Sequence, residues 1–406
     1  MKITSILLFC MTIHLCLPET AAQEATRWRG PSGNGTYPDN NLLHSWPSAG
    51  PEVLWHFDEL GPGYSSPVFA RGNIYVSGMI EHTGYIFILS QEGKLINKYP
   101  YGPEYFESYP GSRSTPVIAG EQLYMLNGYG RLVCMHADKG TTIWTKELFK
   151  DFDGRNTDWG ITETVVIDGD MLYCCPGGIV HNVVALDRYT GKLIWKCNGK
   201  GEIPAYNTPL LINLPARKLL VTMMASHSLG IDARTGELLW AQHQPNQWSV
   251  HANTPIYADH GVYCFSGYGQ GGFKLNLSDD GKIVKKSWTN KSLDSRIGGA
   301  VFINGYIYGS GDQDRSWQCI DWKTGNQMYS SAEIGNGVAI SADGLLFCYS
   351  QRGELVLVKA DPVQFKILGR TTVNLGSGQH WAHPVMNNGR LFIRHGNVLI
   401  AYRISA

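Results

Sequence analysis

The chain lacks an excess of either charge, a second long apolar run, and the short motifs that mark the commonest enzyme classes. Its 34 basic and 34 acidic side chains balance, and the basic ones are scattered. A nucleic-acid groove or an anionic-membrane patch needs clustered Lys and Arg, so neither partner is expected. Beyond the first residues no stretch approaches ~20 uninterrupted apolar residues, which excludes a membrane-spanning helix. No Gly-rich phosphate loop, Gly-x-Ser-x-Gly elbow or His-Glu-x-x-His pair is present. The absence of Cys-x-x-Cys-His excludes a covalently attached c-type haem. Ala-, Glu- and Lys-rich helical stretches are also missing.

The N-terminus reads as an export signal. Met1-Lys2 precedes an apolar run from Ile3 to Leu17, and Ala21-Ala22-Gln23 supplies small residues for cleavage after Ala22. The mature chain is therefore expected from Gln23, periplasmic or secreted. A lipid anchor at Cys16 is disfavoured, because His14-Leu15 lacks the small residue usual at that cut. Seven cysteines then remain: Cys134, Cys174, Cys175, Cys197, Cys264, Cys319 and Cys348. Their odd number and irregular spacing do not describe a disulfide framework.

What is plentiful is glycine (47), tyrosine (21) and tryptophan (12), a composition suited to strands and tight turns. A short apolar strand recurs about every 40–50 residues, often introduced by Ser/Thr/Asn and Pro. Copies begin Ser65-Ser66-Pro67, Ser114-Thr115-Pro116, Glu163-Thr164-Val165, Asn207-Thr208-Pro209, Asn253-Thr254-Pro255, Gly298-Gly299-Ala300, Gly337-Val338-Ala339 and Ala382-His383-Pro384. A second strand follows each one. A third then ends in an acidic turn, clearest in Ala185-Leu186-Asp187-Arg188-Tyr189-Thr190-Gly191-Lys192-Leu193-Ile194-Trp195 and in the matching run Gly230 to Trp240. Asp caps such a turn, and Gly supplies its positive φ.

Four strands per repeat make a propeller blade, and eight repeats make an all-β, eight-bladed β-propeller of antiparallel blades. The eighth repeat holds only three strands before the chain stops, and Pro51 to Phe57 matches the missing fourth. Pairing both termini in one blade closes the ring. The expected organisation is a signal peptide (1–22), a lead-in segment (23–50) and one propeller (51–406).

The motif Ala-x-Asp-x-x-Thr-Gly-Lys-x-x-Trp resembles the repeat of the pyrroloquinoline-quinone (PQQ) enzyme superfamily over essentially the whole mature chain. The resemblance implies that Trp144, Trp195 and Trp240 dock flat on a neighbouring blade, with Tyr329 departing from the pattern. The same propeller serves alcohol and sugar dehydrogenases and a barrel-assembly lipoprotein of the outer membrane, so it fixes the fold and not the activity.

Short connections lie on one side of each blade and long ones on the other, which assigns function to the long-loop face around the channel. Arg113, Trp159, Glu163, Tyr206, Asn207, Trp248, His251, Asn253, Arg296 and Trp381 fall where a ligand or cofactor would bind. Glu163 stands where other repeats carry Ser, Asn, Gly or Ala. With Asn207 and Asn253 it can ligate Ca²⁺, it can act as a base, or it can pair with Arg113. Asp294 is a second candidate base. The register sets Cys174 and Cys175 on opposite faces of a strand, so both read as structural, and Cys134 and Cys319 as small packing residues.

The expected function is binding of a small molecule, a glycan or an envelope protein in the funnel. The alternatives are a PQQ- and Ca²⁺-dependent dehydrogenase acting on an alcohol or sugar hydroxyl, and an outer-membrane assembly scaffold. No cofactor is fixed by the residues alone; PQQ with Ca²⁺ is the one the resemblance implies.

Overall fold

The computed structural model describes residues 25–406; the expected signal peptide, with Cys16, lies outside the described residues. Eight four-stranded antiparallel sheets follow one another around a ring. Blades 1 to 7 span 68–103, 117–147, 166–197, 210–243, 256–290, 301–331 and 337–372, and each uses consecutive strands. Blade 8 takes three strands from 385–403 and its outer strand from Val53–Phe57. There Trp55 lies opposite Ala401 and Phe57 opposite Leu399. The two ends of the chain thus share one sheet, and no helix of the described residues is long and apolar enough to cross a membrane.

The acidic turns form as their residues require. In blade 3 one carboxylate oxygen of Asp187 accepts the Tyr189 and Thr190 amides and the Thr190 hydroxyl, at 2.7–3.1 Å. These bonds, the Thr190 hydroxyl foremost, hold the Asp187 carboxyl below its usual range. Gly191 follows at φ +68°, and a Cβ there would meet the Trp144 ring of the preceding blade at 2.9 Å. Glycine is required twice over, for the turn and for the indole lying on it.

Trp144 and Trp195 dock as expected, donating their indole N–H groups to Arg188 O and Ala233 O of the next blade. The same contact is made by Trp55 to Gln91 O and by Trp288 to Trp322 O, while Tyr99 donates its hydroxyl to Asp138 O. Trp240 also packs against the next blade, in one cluster with Val262, Cys264 and Phe273, but its indole N–H finds no partner there and its ring lies over Gly230 of its own blade. Trp55 matters most, because the strand that closes the ring makes the same contact as an ordinary outer strand.

Apolar clusters fill the spaces between blades. The largest joins blades 7, 8 and 1, with Phe87, Phe347, Leu391 and Ile393 at its centre. The seven cysteines of the described residues are all buried and unpaired. Cys174 packs in the cluster between blades 2 and 3, and Cys175 in the one between blades 3 and 4, on opposite faces of their strand. Cys134 and Cys319 face the bulky ring of the fourth strand, Trp144 and Tyr329 respectively, where a small side chain fits.

Candidate functional site

The repeated Ser/Thr-Pro introductions build a collar around the channel. The amide of Ser66 donates to the Thr115 hydroxyl, Thr115 to that of Thr164, and Thr164 to that of Thr208, each at 3.1 Å. Each link joins one blade to the next. At the preceding position Ser65, Asn207 and Asn253 latch their own blades, to Ser77 O, Met223 O and Phe265 O, and Asn253 also donates to Ser295 O in the connection into blade 6.

Glu163 holds that latch position in blade 3, where its carboxyl accepts the Cys175 amide at 3.1 Å. Glu163, Asn207 and Asn253 therefore turn toward three separate second strands. The amide oxygen of Asn207 is already taken by Thr222 and by the Met223 amide. The three do not form a cation seat, and among the described residues no group of three or more His, Cys, Asp or Glu side chains has metal-site geometry. Nor does Glu163 pair with Arg113. That guanidinium donates to Trp159 O, Gly111 O and Ser108 O at 2.6–2.9 Å and lies over the Tyr105 ring.

Burial pushes the Glu163 carboxyl up to about 8, against an ordinary value of 4.5. In the folded chain it keeps its proton at neutral pH, whereas the unfolded chain releases it above the ordinary value. Its contribution to stability is therefore complete at low pH and is lost as pH rises toward about 8. Glu163→Gln should remove this slope, which costs at most about 1.4 kcal/mol per pH unit. Urea unfolding of both proteins from pH 5 to pH 9 measures it, and parallel curves would show that Glu163 is ionised when folded.

Above the collar the long connections enclose a cavity of about 270 Å³. Tyr64 comes from the connection into blade 1, Tyr109 and Arg113 from that into blade 2, and Trp159 from that into blade 3. Tyr206 precedes blade 4, Arg296 blade 6 and Trp381 blade 8, and Tyr268 stands on a connection within blade 5. The rings brace one another: Trp381 lies 4.8 Å from Tyr109 and 5.3 Å from Tyr64, and Trp159 6.0 Å from Tyr206, centroid to centroid. The Trp381 indole donates to the Gln351 amide oxygen at 3.3 Å. Trp248, half exposed, meets the edge of Trp159 at 6.4 Å without lining the cavity.

Two further candidates lie away from the cavity. His251 is fully buried, with Nε2 3.1 Å from Ala225 O, and burial pulls its imidazole down to about 4. Asp294 accepts the amides of Gly269, Asp312 and Gln313 and organises two loops. Burial raises its carboxyl despite those bonds, but it does not line the cavity.

Trp28 escapes a repeat-based reading because it precedes the first repeat. Residues 25–37 cross the channel. Thr26 bonds Ile118 on the inner strand of blade 2, and Tyr37 bonds Ser341 on that of blade 7. Between them the buried Arg29 donates to Ala300 O at 2.6 Å and to His383 Nδ1 at 2.9 Å. A guanidinium only donates, so Nδ1 accepts and Nε2 carries the proton that goes to Ile297 O at 2.9 Å. Burial and the adjacent guanidinium together pull His383 down to about 3, and it stays neutral. This pin places the Trp28 ring 4.7 Å from His383 and inside the cavity lining.

Comparison with known proteins agrees with this architecture. A quinoprotein alcohol dehydrogenase of Pseudomonas putida is 22% identical over 246 residues, 56% of this chain and 37% of that protein. The chain thus matches little more than a third of the length of that curated relative. Among solved structures, BamB from Moraxella catarrhalis superposes with a TM-score of 0.63 at 12% identity, over 87% of this chain and all of the other. Quinohemoprotein alcohol dehydrogenase from Comamonas testosteroni superposes with a TM-score of 0.65 at 12% identity, over 91% of this chain and 79% of the other. At such identities the structural likenesses establish the fold alone. A PQQ-repeat family model, described as outer membrane protein assembly factor BamB, matches residues 52–196 and 137–362. Those matches cover most of the chain, which therefore belongs to that PQQ-like propeller family.

Proposed function

We propose that this propeller is an exported saccharide-binding protein whose site is the aromatic cavity on the long-loop face. The observation that carries the reading is the composition of that cavity. Tryptophans and tyrosines from six blades and from the channel-crossing segment converge on it, with threonine hydroxyls and two arginines at their edges and no aspartate or glutamate in the lining. Flat rings with polar handles suit a ligand with apolar faces and many hydroxyls. Thr162, Thr164 and Thr208 supply hydroxyls along the wall.

The same composition disfavours quinone-dependent oxidation. Ca²⁺ takes six to eight oxygen ligands, carboxylates prominent among them, and the lining of this cavity holds no carboxylate. The residues lining this cavity do not fit a Ca²⁺-held quinone.

Calorimetric titration with neutral and acidic oligosaccharides, beside PQQ with Ca²⁺, tests the reading. Saccharide affinities in the micromolar-to-millimolar range, about −8 to −4 kcal/mol, are expected, with no heat from the quinone. Saturable quinone binding that raises the melting temperature, without any saccharide response, would replace this function with the dehydrogenase.

A further inference from the structure

Beside the aromatic cavity lies a second, polar one of about 330 Å³, lined by Arg296, Asp312, Arg315, Asn336, Gln351 and Arg352. Three guanidinium groups face one carboxylate in that lining. Asp312 is already engaged: the Asn336 amide donates to it at 3.4 Å, and Arg296 Nε stands 3.0 Å away. That Nε–H does not point along the line to Asp312 and has no hydrogen-bond acceptor. Neither Arg315 nor Arg352 forms an ion pair among the described residues. The nearby Glu354 carboxylate turns away, accepting the Gly335 amide at 2.8 Å and the Ser350 hydroxyl at 2.9 Å.

The two cavities are joined by their own side chains. Arg296 lines both. Gln351 lines the polar one while accepting the indole N–H of Trp381, a wall of the aromatic one. The loop carrying Asp312 and Arg315 is held from below by Asp294, buried and bound to the Asp312 and Gln313 amides. A charge-rich pocket resting on a fixed loop and opening beside an aromatic wall is arranged for one end of a larger ligand.

We propose that this polar cavity is an oxoanion subsite, which takes the sulfate or carboxylate group of an acidic saccharide whose rings lie in the aromatic cavity. Guanidinium groups match planar and tetrahedral oxoanions with paired N–H donors, and three of them against one engaged carboxylate leave net positive charge to be met. The identity of the remainder of the ligand rests on the saccharide reading above; the anion subsite itself rests on the arginines.

The test uses the mature protein and its Arg315→Ala/Arg352→Ala variant, whose exposed side chains hold no other element in place. Sodium sulfate, with sodium chloride at matched ionic strength as the control, is followed by melting temperature. Glucose, glucose 6-sulfate and glucuronate are followed by calorimetry. The expected result is a sulfate-specific rise in melting temperature that the variant loses. An advantage of about tenfold or more for an acidic sugar over glucose is also expected, falling to near parity in the variant. Preference for glucose 6-sulfate over glucuronate assigns a sulfate, and the reverse a carboxylate. An equal sulfate response in both proteins, or glucose binding as tightly as the acidic sugars, overturns the subsite while leaving the saccharide reading intact. A sulfate response that needs the arginines, with no sugar bound at all, upholds the subsite and overturns the saccharide reading.

Discussion

Trp381→Ala and Trp28→Ala should each lower the proposed saccharide affinity by about 10- to 100-fold, the size expected when a stacking ring worth ~1–3 kcal/mol is removed. Both rings line one cavity, Trp381 from the connection into blade 8 and Trp28 from the channel-crossing segment. Trp381 is the wall that Tyr64 and Tyr109 lean on, so its loss also frees those rings. Trp28 enters from the segment that crosses the channel, held by the Arg29 pin to His383 and Ala300. Since Arg29 stays in both variants, the melting temperature should move little while affinity falls. Isothermal titration of the two variants against the tightest saccharide measures the effect. Unchanged affinity for Trp28→Ala would confine the site to the loops of the blades.

Arg394→Leu destabilises the propeller by about 3 kcal/mol, as expected when a buried hydrogen-bonded charge is removed and its partners stay behind. Arg394 is fully buried on the second strand of blade 8. It donates to Ser77 O and to the Ser65 hydroxyl of blade 1, and to Gly396 O of its own hairpin. Ser77 O keeps the Ser65 hydroxyl as a donor, but leucine replaces none of the three bonds that Arg394 made. Burial pulls the guanidinium down to about 9, which leaves it charged at neutral pH. Arg394 thus fastens the last blade to the first at the seam where the ring closes. Urea midpoints of wild type, Arg394→Leu and Arg394→Lys measure the cost; lysine should recover only part of it, because it lacks the forked geometry. A loss below about 1 kcal/mol would mean the apolar cluster of blades 7, 8 and 1 closes the ring unaided.

The ring and its closure were legible because a repeat states its own count: seven and three-quarter blades from Ser65 onward, and one spare strand at Val53–Phe57. Cys174 and Cys175 were legible for a related reason, as neighbouring strand residues must face opposite ways. The site was only half legible. Arg113, Trp159, Tyr206, Arg296 and Trp381 sit at equivalent points before the inner strands, and repeat alignment finds them. Alignment does not say where a side chain points. Glu163, Asn207 and Asn253 look inward by position, yet each bonds to the second strand side of its own blade, where strand-end backbone groups need partners. Trp28 lies outside every repeat. The one sign of it was a bulky Trp-Arg-Gly run where a loose lead-in would carry small polar residues. Arg394 was hidden for the opposite reason: it shares its register slot with Ser77, Cys175 and Phe265, and only the carbonyls of blade 1 distinguish it.

Crystals of the protein soaked with the tightest-binding saccharide test the central claim most directly. Difference density for sugar rings packed between Trp28, Trp159 and Trp381, with an acidic group directed toward Arg315 and Arg352, is the predicted result. Density at the outer strands or on the short-loop face, with the aromatic cavity holding only solvent, would contradict it.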